Sequence, residues 1–152
     1  MMEVFKNQQW VVIAIVFFGI MAYIAMSRRR DRKWIETRFG SDAILAISFG
    51  VNYFGKATAP GAPKRSSGFL LLMKDGLFYR SRLKKIELKI PAKTIQRVYH
   101  DRRFKGVDMH QSLVKVDYTN EKREKDTAAF KVPYPPQWIR AIESSLLKSK
   151  RS

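Results

Sequence analysis

Trp10 to Met26 reads WVVIAIVFFGIMAYIAM, 17 residues without a charge. As a helix it would span roughly 26 Å, near the lower end of what crosses the hydrocarbon core of a bilayer. A buried core helix would keep a polar stripe. A cleaved leader would need a basic start, a shorter apolar core and a small-x-small exit. Here there is no polar stripe, Lys6 is offset by Glu3, and the exit runs into SRRR, which favours a spanning helix over a buried or cleaved one. Trp10 and Tyr23 lie toward its two ends, where amphipathic rings favour the interface. The pattern predicts a membrane-spanning helix over residues 10–27. Gly19 and Ala22 are small but form no GxxxG, so nothing specifies pairing of the helix.

After residue 40 the periodicity changes. Ala43 to Phe54 is rich in β-branched and aromatic residues, with Gly50 as an expected bulge. Residues 55–67 (GKATAPGAPKRSS) read as a loop. Phe69 to Met73 is a continuous apolar run suited to a central strand. Asp75-Gly76 signals a two-residue turn of the I′ kind, and Leu77 to Leu83 returns. Ile86, Leu88 and Ile90 alternate with Glu87 and Lys89 until Pro91. Thr94 to Tyr99 is a further short strand, residues 101–111 a polar loop, and Val114, Val116 and Tyr118 alternate again. Asn120 to Asp126 reads as a charged turn before the strand Thr127 to Val132. Beyond PYPP, the residues Trp138, Ile139, Ile142, Leu146 and Leu147 form one helical stripe. Trp138 is expected to plug the core; the alternative is that the aromatic pair Tyr134 and Trp138 forms a partner patch.

The expected organisation is therefore a short extracytoplasmic head (1–9), a transmembrane helix (10–27), a basic juxtamembrane segment (28–40), a mainly-β domain (41–148) and a basic tail (149–152). Trp34, Ile35 and Phe39 in the juxtamembrane segment fit either a continuation of the first helix or a separate helix in the headgroup layer. About seven short strands predict a barrel or two packed sheets, closed by the C-terminal α-helix.

Charge adds direction. The chain of 152 residues holds 30 Lys and Arg against 13 Asp and Glu, a net charge of +17. Arg28, Arg29, Arg30, Arg32 and Lys33 follow the apolar segment, whereas Lys6 is the basic residue before it. This asymmetry predicts a single-pass anchor of an inner or plasma membrane, with the β domain in the cytoplasm. Absence of Cys excludes disulfides, thiolate metal sites and cysteine nucleophiles, and two His exclude most multi-histidine sites. His100-Asp101 and Asp108-Met109-His110 match no catalytic or metal spacing, and no GxSxG, Walker or GxGxxG pattern occurs. No residue is assigned a catalytic role, and neither a cofactor nor a metal is expected.

The hairpin GFLLLMKDGLFYRS, then IELKIPAKTIQRV, LVKVDY, AAFKV and the closing PPQWIRAI together resemble the pleckstrin-homology superfold in its GRAM-like or bacterial PH-like form. The resemblance implies a lipid-binding or adaptor module, often membrane-tethered in bacteria. Lys56 and Lys64 match the start of the phosphoinositide motif of that superfold, but Ser66 stands where its last Arg belongs. Lys74, Arg80 and Arg82 have the right types on the following hairpin.

The excess positive charge points to anionic partners. The candidate lipid- or anion-binding residues are Lys56, Lys64, Arg65, Lys74, Arg80, Arg82, Lys84, Lys85, Lys89 and Arg97. If their strands are neighbours, Arg80, Arg82, Lys89 and Arg97 share one outward face. Anionic lipid headgroups are the expected partner. Docking to a membrane protein, as an accessory subunit, is the alternative, because an open sheet edge can accept a strand. Nucleic acid is a third class, with Tyr79, Tyr99 and Phe104 available for stacking. The anchor weighs against it.

Overall fold

A computed structural model describes residues 2–83 and 85–147. The chain divides into two compact units, Met1–Ser41 and Asp42–Ser152.

The first unit is one helix, α1 (Met2–Phe39), of 38 residues. No proline interrupts it, so the basic segment continues the apolar one without a break. From Trp10 to Met26 its side chains are exposed all round. The helix is long and apolar enough to cross a membrane. It stops at Gly40, whose φ of 78° is left-handed and whose N–H donates to Glu36 O at 2.9 Å. That is a glycine C-cap. In the last turns the Arg38 guanidinium lies over the Trp34 ring, 5.0 Å from its centre.

The second unit holds seven antiparallel strands: β1 (Ile44–Lys56), β2 (Ser66–Met73), β3 (Gly76–Ser81), β4 (Glu87–Pro91), β5 (Ile95–Phe104), β6 (Val107–Thr119) and β7 (Lys125–Lys131). They form a single sheet in the order β4-β3-β2-β1-β7-β6-β5. The sheet is open, so the expected barrel or pair of stacked sheets is corrected. Among the described residues no ladder joins edges β4 and β5. Pro91 lacks an N–H, and the 3₁₀ turn Ala92–Thr94 separates the two strands. The helix α2 (Pro135–Ile142), continued by the π-turn Glu143–Leu147, packs against β5 and β6 instead.

The core follows the two-residue period. Val51, Tyr53, Leu70, Leu72, Leu77, Tyr79, Leu88, Ile90, Val114, Val116, Ala128 and Phe130 project to one face, where Trp138, Ile142 and Leu146 cover them. Three rings form its centre, with Tyr53 5.0 Å from Tyr79 and 5.1 Å from Phe130 between centroids. Buried Tyr79 shares a hydrogen bond of 3.0 Å with the Ser66 hydroxyl. Strand β2 is buried along both faces from Gly68 to Met73, as its unbroken apolar run requires.

Three local expectations are corrected. The β2–β3 turn uses Lys74-Asp75, because Met73 pairs with Gly76. Neither turn residue has positive φ, which an I′ turn needs at both positions. Gly76 takes the unusual angle instead, at φ 156°, and a Cβ there would lie 2.2 Å from Ile90 O. Second, residues 101–111 are not a loop: β5 runs on to Phe104 and β6 starts at Val107. Phe104 is buried with Phe54, Leu113 and Ala129, a satellite cluster on the other face of the sheet. Third, Lys125 and Asp126 belong to β7, and Asp126 is buried.

Candidate anion-binding surface

Strand register decides which basic residues meet. Gly68 at the start of β2 pairs with Ser81 at the end of β3, so the β1–β2 and β3–β4 connections lie at the same end of the sheet. Lys56 at the end of β1 pairs with Ala128 near the start of β7, which brings the β6–β7 turn to that end as well. These connections, with the strand ends beside them, carry Lys56, Lys64 and Arg65, then Arg82 and Lys85, then Lys122, Arg123 and Lys125, all exposed. The acidic residues between them are Glu121, Glu124 and the inward-facing Asp126.

Backbone and carboxylate bonds fix the roots of all three. Ala57 N donates to Thr127 O at 2.8 Å. Asp126 accepts from Thr58 N (3.2 Å), Thr58 Oγ1 (2.9 Å) and Thr127 N (2.9 Å). The Tyr118 hydroxyl completes this set at 3.5 Å. Burial, then the charge of Asp126, pushes the phenols of Tyr118 and Tyr53 above the usual range. In the β3–β4 connection Arg82 N donates to Ser67 O, Ser81 N to Ile86 O, and Ile86 N to Ser81 Oγ. Asn120 Oδ1 accepts from Lys122 N and Glu124 N, both at 3.0 Å, which closes the β6–β7 turn.

A fourth basic segment joins from the β5–β6 tip. Between the pairs Asp101–Leu113 and Arg103–Asp108 the register shifts, and His110 takes φ 57°. This bulge bends the hairpin. Phe104 anchors it, and Lys105 Nζ donates to Ala59 O in the β1–β2 connection. The tip carries its own acids. The Arg103 N–H and then Lys115 hold Asp101 below the usual carboxylate range, and the His110 N–H does the same for Asp108.

The remaining candidates lie elsewhere. Lys74 sits on the β2–β3 turn, at the opposite end of the sheet. Arg80 and Lys89 are on the neighbouring strands β3 and β4, with Arg80 3.8 Å from Glu87. Arg97 is on β5 at the far edge, its guanidinium 3.9 Å from the Tyr99 ring centre and 3.2 Å from Asp117. The single outward face expected for Arg80, Arg82, Lys89 and Arg97 is therefore corrected, because β3 and β5 are separated by β2, β1, β7 and β6. Lys84 lies outside the described residues, as does the tail 149–152. Arg28, Arg29, Arg30, Arg32 and Lys33 are exposed on α1 and occupy more than half its circumference at about 100° per residue.

Sequence reasoning did not single out Lys105, Lys122, Arg123 or Lys125 as ligands. They sit in segments that look like solvated loops, and only the register brings them beside Lys56 and Lys64. Among the described residues no group of three or more His, Asp or Glu is placed to hold a metal ion.

No family model matches the chain, and no curated protein matches it either. It is similar in structure to the C-terminal domain of an unknown protein from Leishmania infantum, with a TM-score of 0.56 at 14% identity. The match covers 78% of this chain and 97% of that one. The likeness is one of fold.

Proposed function

We propose that this chain is a membrane-anchored, non-enzymatic module of PH-like fold whose loop-bearing end contacts anionic headgroups at the cytoplasmic face. The observation that carries the reading is the convergence of Lys56, Lys64, Arg65, Arg82, Lys85, Lys122, Arg123 and Lys125 at one end of the sheet, in a chain that also has a helix apolar enough for a bilayer. Seven antiparallel strands followed by a Trp-bearing helix that packs on one face of the sheet support the PH-like identity. The five basic residues after the apolar segment support the cytoplasmic orientation.

The mechanism is tether plus surface. Each Lys or Arg near an anionic leaflet contributes about 1 kcal/mol, and the attraction fades over a Debye length of roughly 8–10 Å. The anchor keeps the domain at high effective concentration beside that surface, so individually weak contacts suffice. Exposed amines and guanidiniums suit phosphate as point-charge and forked donors.

Hydrogen exchange of the full chain in lipid nanodiscs tests the reading. With phosphatidylglycerol present, residues 57–65, 82–86 and 120–125 should exchange more slowly than in pure phosphatidylcholine. The β2–β3 turn at Lys74 should not change. Lys64→Glu with Arg65→Glu should remove most of the protection, as should raised salt. Identical exchange in both lipids overturns the proposal.

A further inference from the structure

Leu83 is 93% exposed, the most exposed large apolar side chain of the sheet unit. Isolated surface leucines are ordinary; the placement of this one is not. It sits in the β3–β4 connection between exposed Arg82 and Lys85, at the end of the sheet where the basic connections meet. Both roots of that connection are fixed, by Ser81 N to Ile86 O and by Arg82 N to Ser67 O, each at 2.9 Å. Lys85 takes φ 51°, a left-handed angle that closes the short loop. The neighbouring β1–β2 connection reads ATAPGAP before Lys64, with small apolar residues and no acid.

An apolar tip within a basic ring matches the layering of an anionic bilayer surface. Lysine and arginine stay at phosphate level while the leucine reaches the upper acyl chains, the arrangement by which interfacial segments hold to lipid. A partner protein that met the same cations would need an apolar pocket for the leucine, whereas a bilayer offers acyl chains beneath its phosphates everywhere.

We propose that Leu83 inserts into the headgroup–acyl boundary of an anionic bilayer when the basic end docks. The surface then binds by insertion as well as by charge. This inference rests on the lipid-contact reading above, and the experiment separates the two.

The chain has no cysteine, so Leu83→Cys and, separately, Glu121→Cys in the β6–β7 turn each give one labelling site. The full chain carrying an environment-sensitive fluorophore is reconstituted into phosphatidylcholine vesicles with or without phosphatidylglycerol. Quenching by nitroxide lipids, labelled at the headgroup or at a shallow acyl carbon, reports depth. With phosphatidylglycerol present, the residue-83 label should shift to the blue and be quenched more strongly from the acyl position. The residue-121 label should be quenched more strongly from the headgroup. If both labels report headgroup depth, insertion is overturned and lipid contact stands. If neither responds to phosphatidylglycerol, both readings fail. Unlabelled Leu83→Asp guards against an effect of the dye. It should reduce the anionic-lipid exchange protection of residues 82–86 and leave that of 120–125; unchanged protection at 82–86 also overturns insertion.

Discussion

Asp126 is a carboxylate that is 4% exposed in a chain with a large excess of positive charge, and no basic side chain neutralises it within salt-bridge distance among the described contacts. Threonine and tyrosine donors hold it instead. Replacing it by Asn turns an N–H₂ toward donors that need an acceptor, and leaving a buried donor unsatisfied costs about 1–3 kcal/mol. Asp126→Asn should therefore lower the thermal midpoint in detergent and speed exchange of residues 57–65 in particular. An unaltered midpoint with unaltered exchange would refute that role. The buried phenols add a pH dependence. Tyr53 and Tyr118 have folded pKa values raised above the unfolded value of about 10. Their contribution to stability is thus fully present below about pH 10. It falls as pH rises beyond that, because the unfolded chain releases protons that the folded chain retains. Tyr53→Phe keeps the ring against Phe130 and should weaken this alkaline loss, measured by denaturation at stepped pH.

Among the elements, the β5–β6 hairpin and α2 make a contrast. Trp138 belongs to the main core, and Trp138→Ala should cost about 3–5 kcal/mol and lower the melting of the whole sheet unit. Phe104 anchors a satellite of four buried residues on the other face. Phe104→Ala should cost less. It should open residues 101–113 to exchange while Val98 and Val116 stay protected. Equal effects at the two positions would contradict the division into core and satellite. The same contrast explains what was legible in the sequence. Alternation exposed β4 and the end of β6, the apolar run exposed β2, and the helical stripe exposed α2. In DRRFKGVDMHQ the apolar residues Phe104, Val107 and Met109 are spread over both strands and the turn, and a bulge resets the register. Neither strand shows enough of them for a period of two to stand out. The candidate surface was legible as charge but not as a place. Lys56, Lys64 and Arg65 were visible in their loop, yet their association with Lys122 and Arg123 depends on β1 pairing with β7, a contact between residues far apart in the chain.

For the whole molecule, the proposed anchor raises the question of which side of a membrane would receive the sheet. The net charge of +17 does not decide it, because domains translocate largely regardless of their own charge. What counts is the short flank on each side of the apolar segment. Lys6 precedes it, and Arg28, Arg29, Arg30, Arg32 and Lys33 follow within seven residues of Met26. With the collar intact, a reporter fused after residue 152 should be active in the cytoplasm and silent outside. Replacing the five collar residues by Gln, and adding lysines before Trp10, reverses the asymmetry while leaving the apolar segment and the sheet unit untouched. A substantial fraction of the reporter should then move to the outer side. Reporter activity outside with the native collar would remove the basis for contact with a cytoplasmic leaflet. An unmoved reporter after the exchange would show that something other than these flanks sets the topology. Because α1 continues through the collar as one helix, neutralising it alters charge with little change in helix propensity, since Gln is close to Arg and Lys in that respect. A change in orientation would then report electrostatics rather than a broken helix.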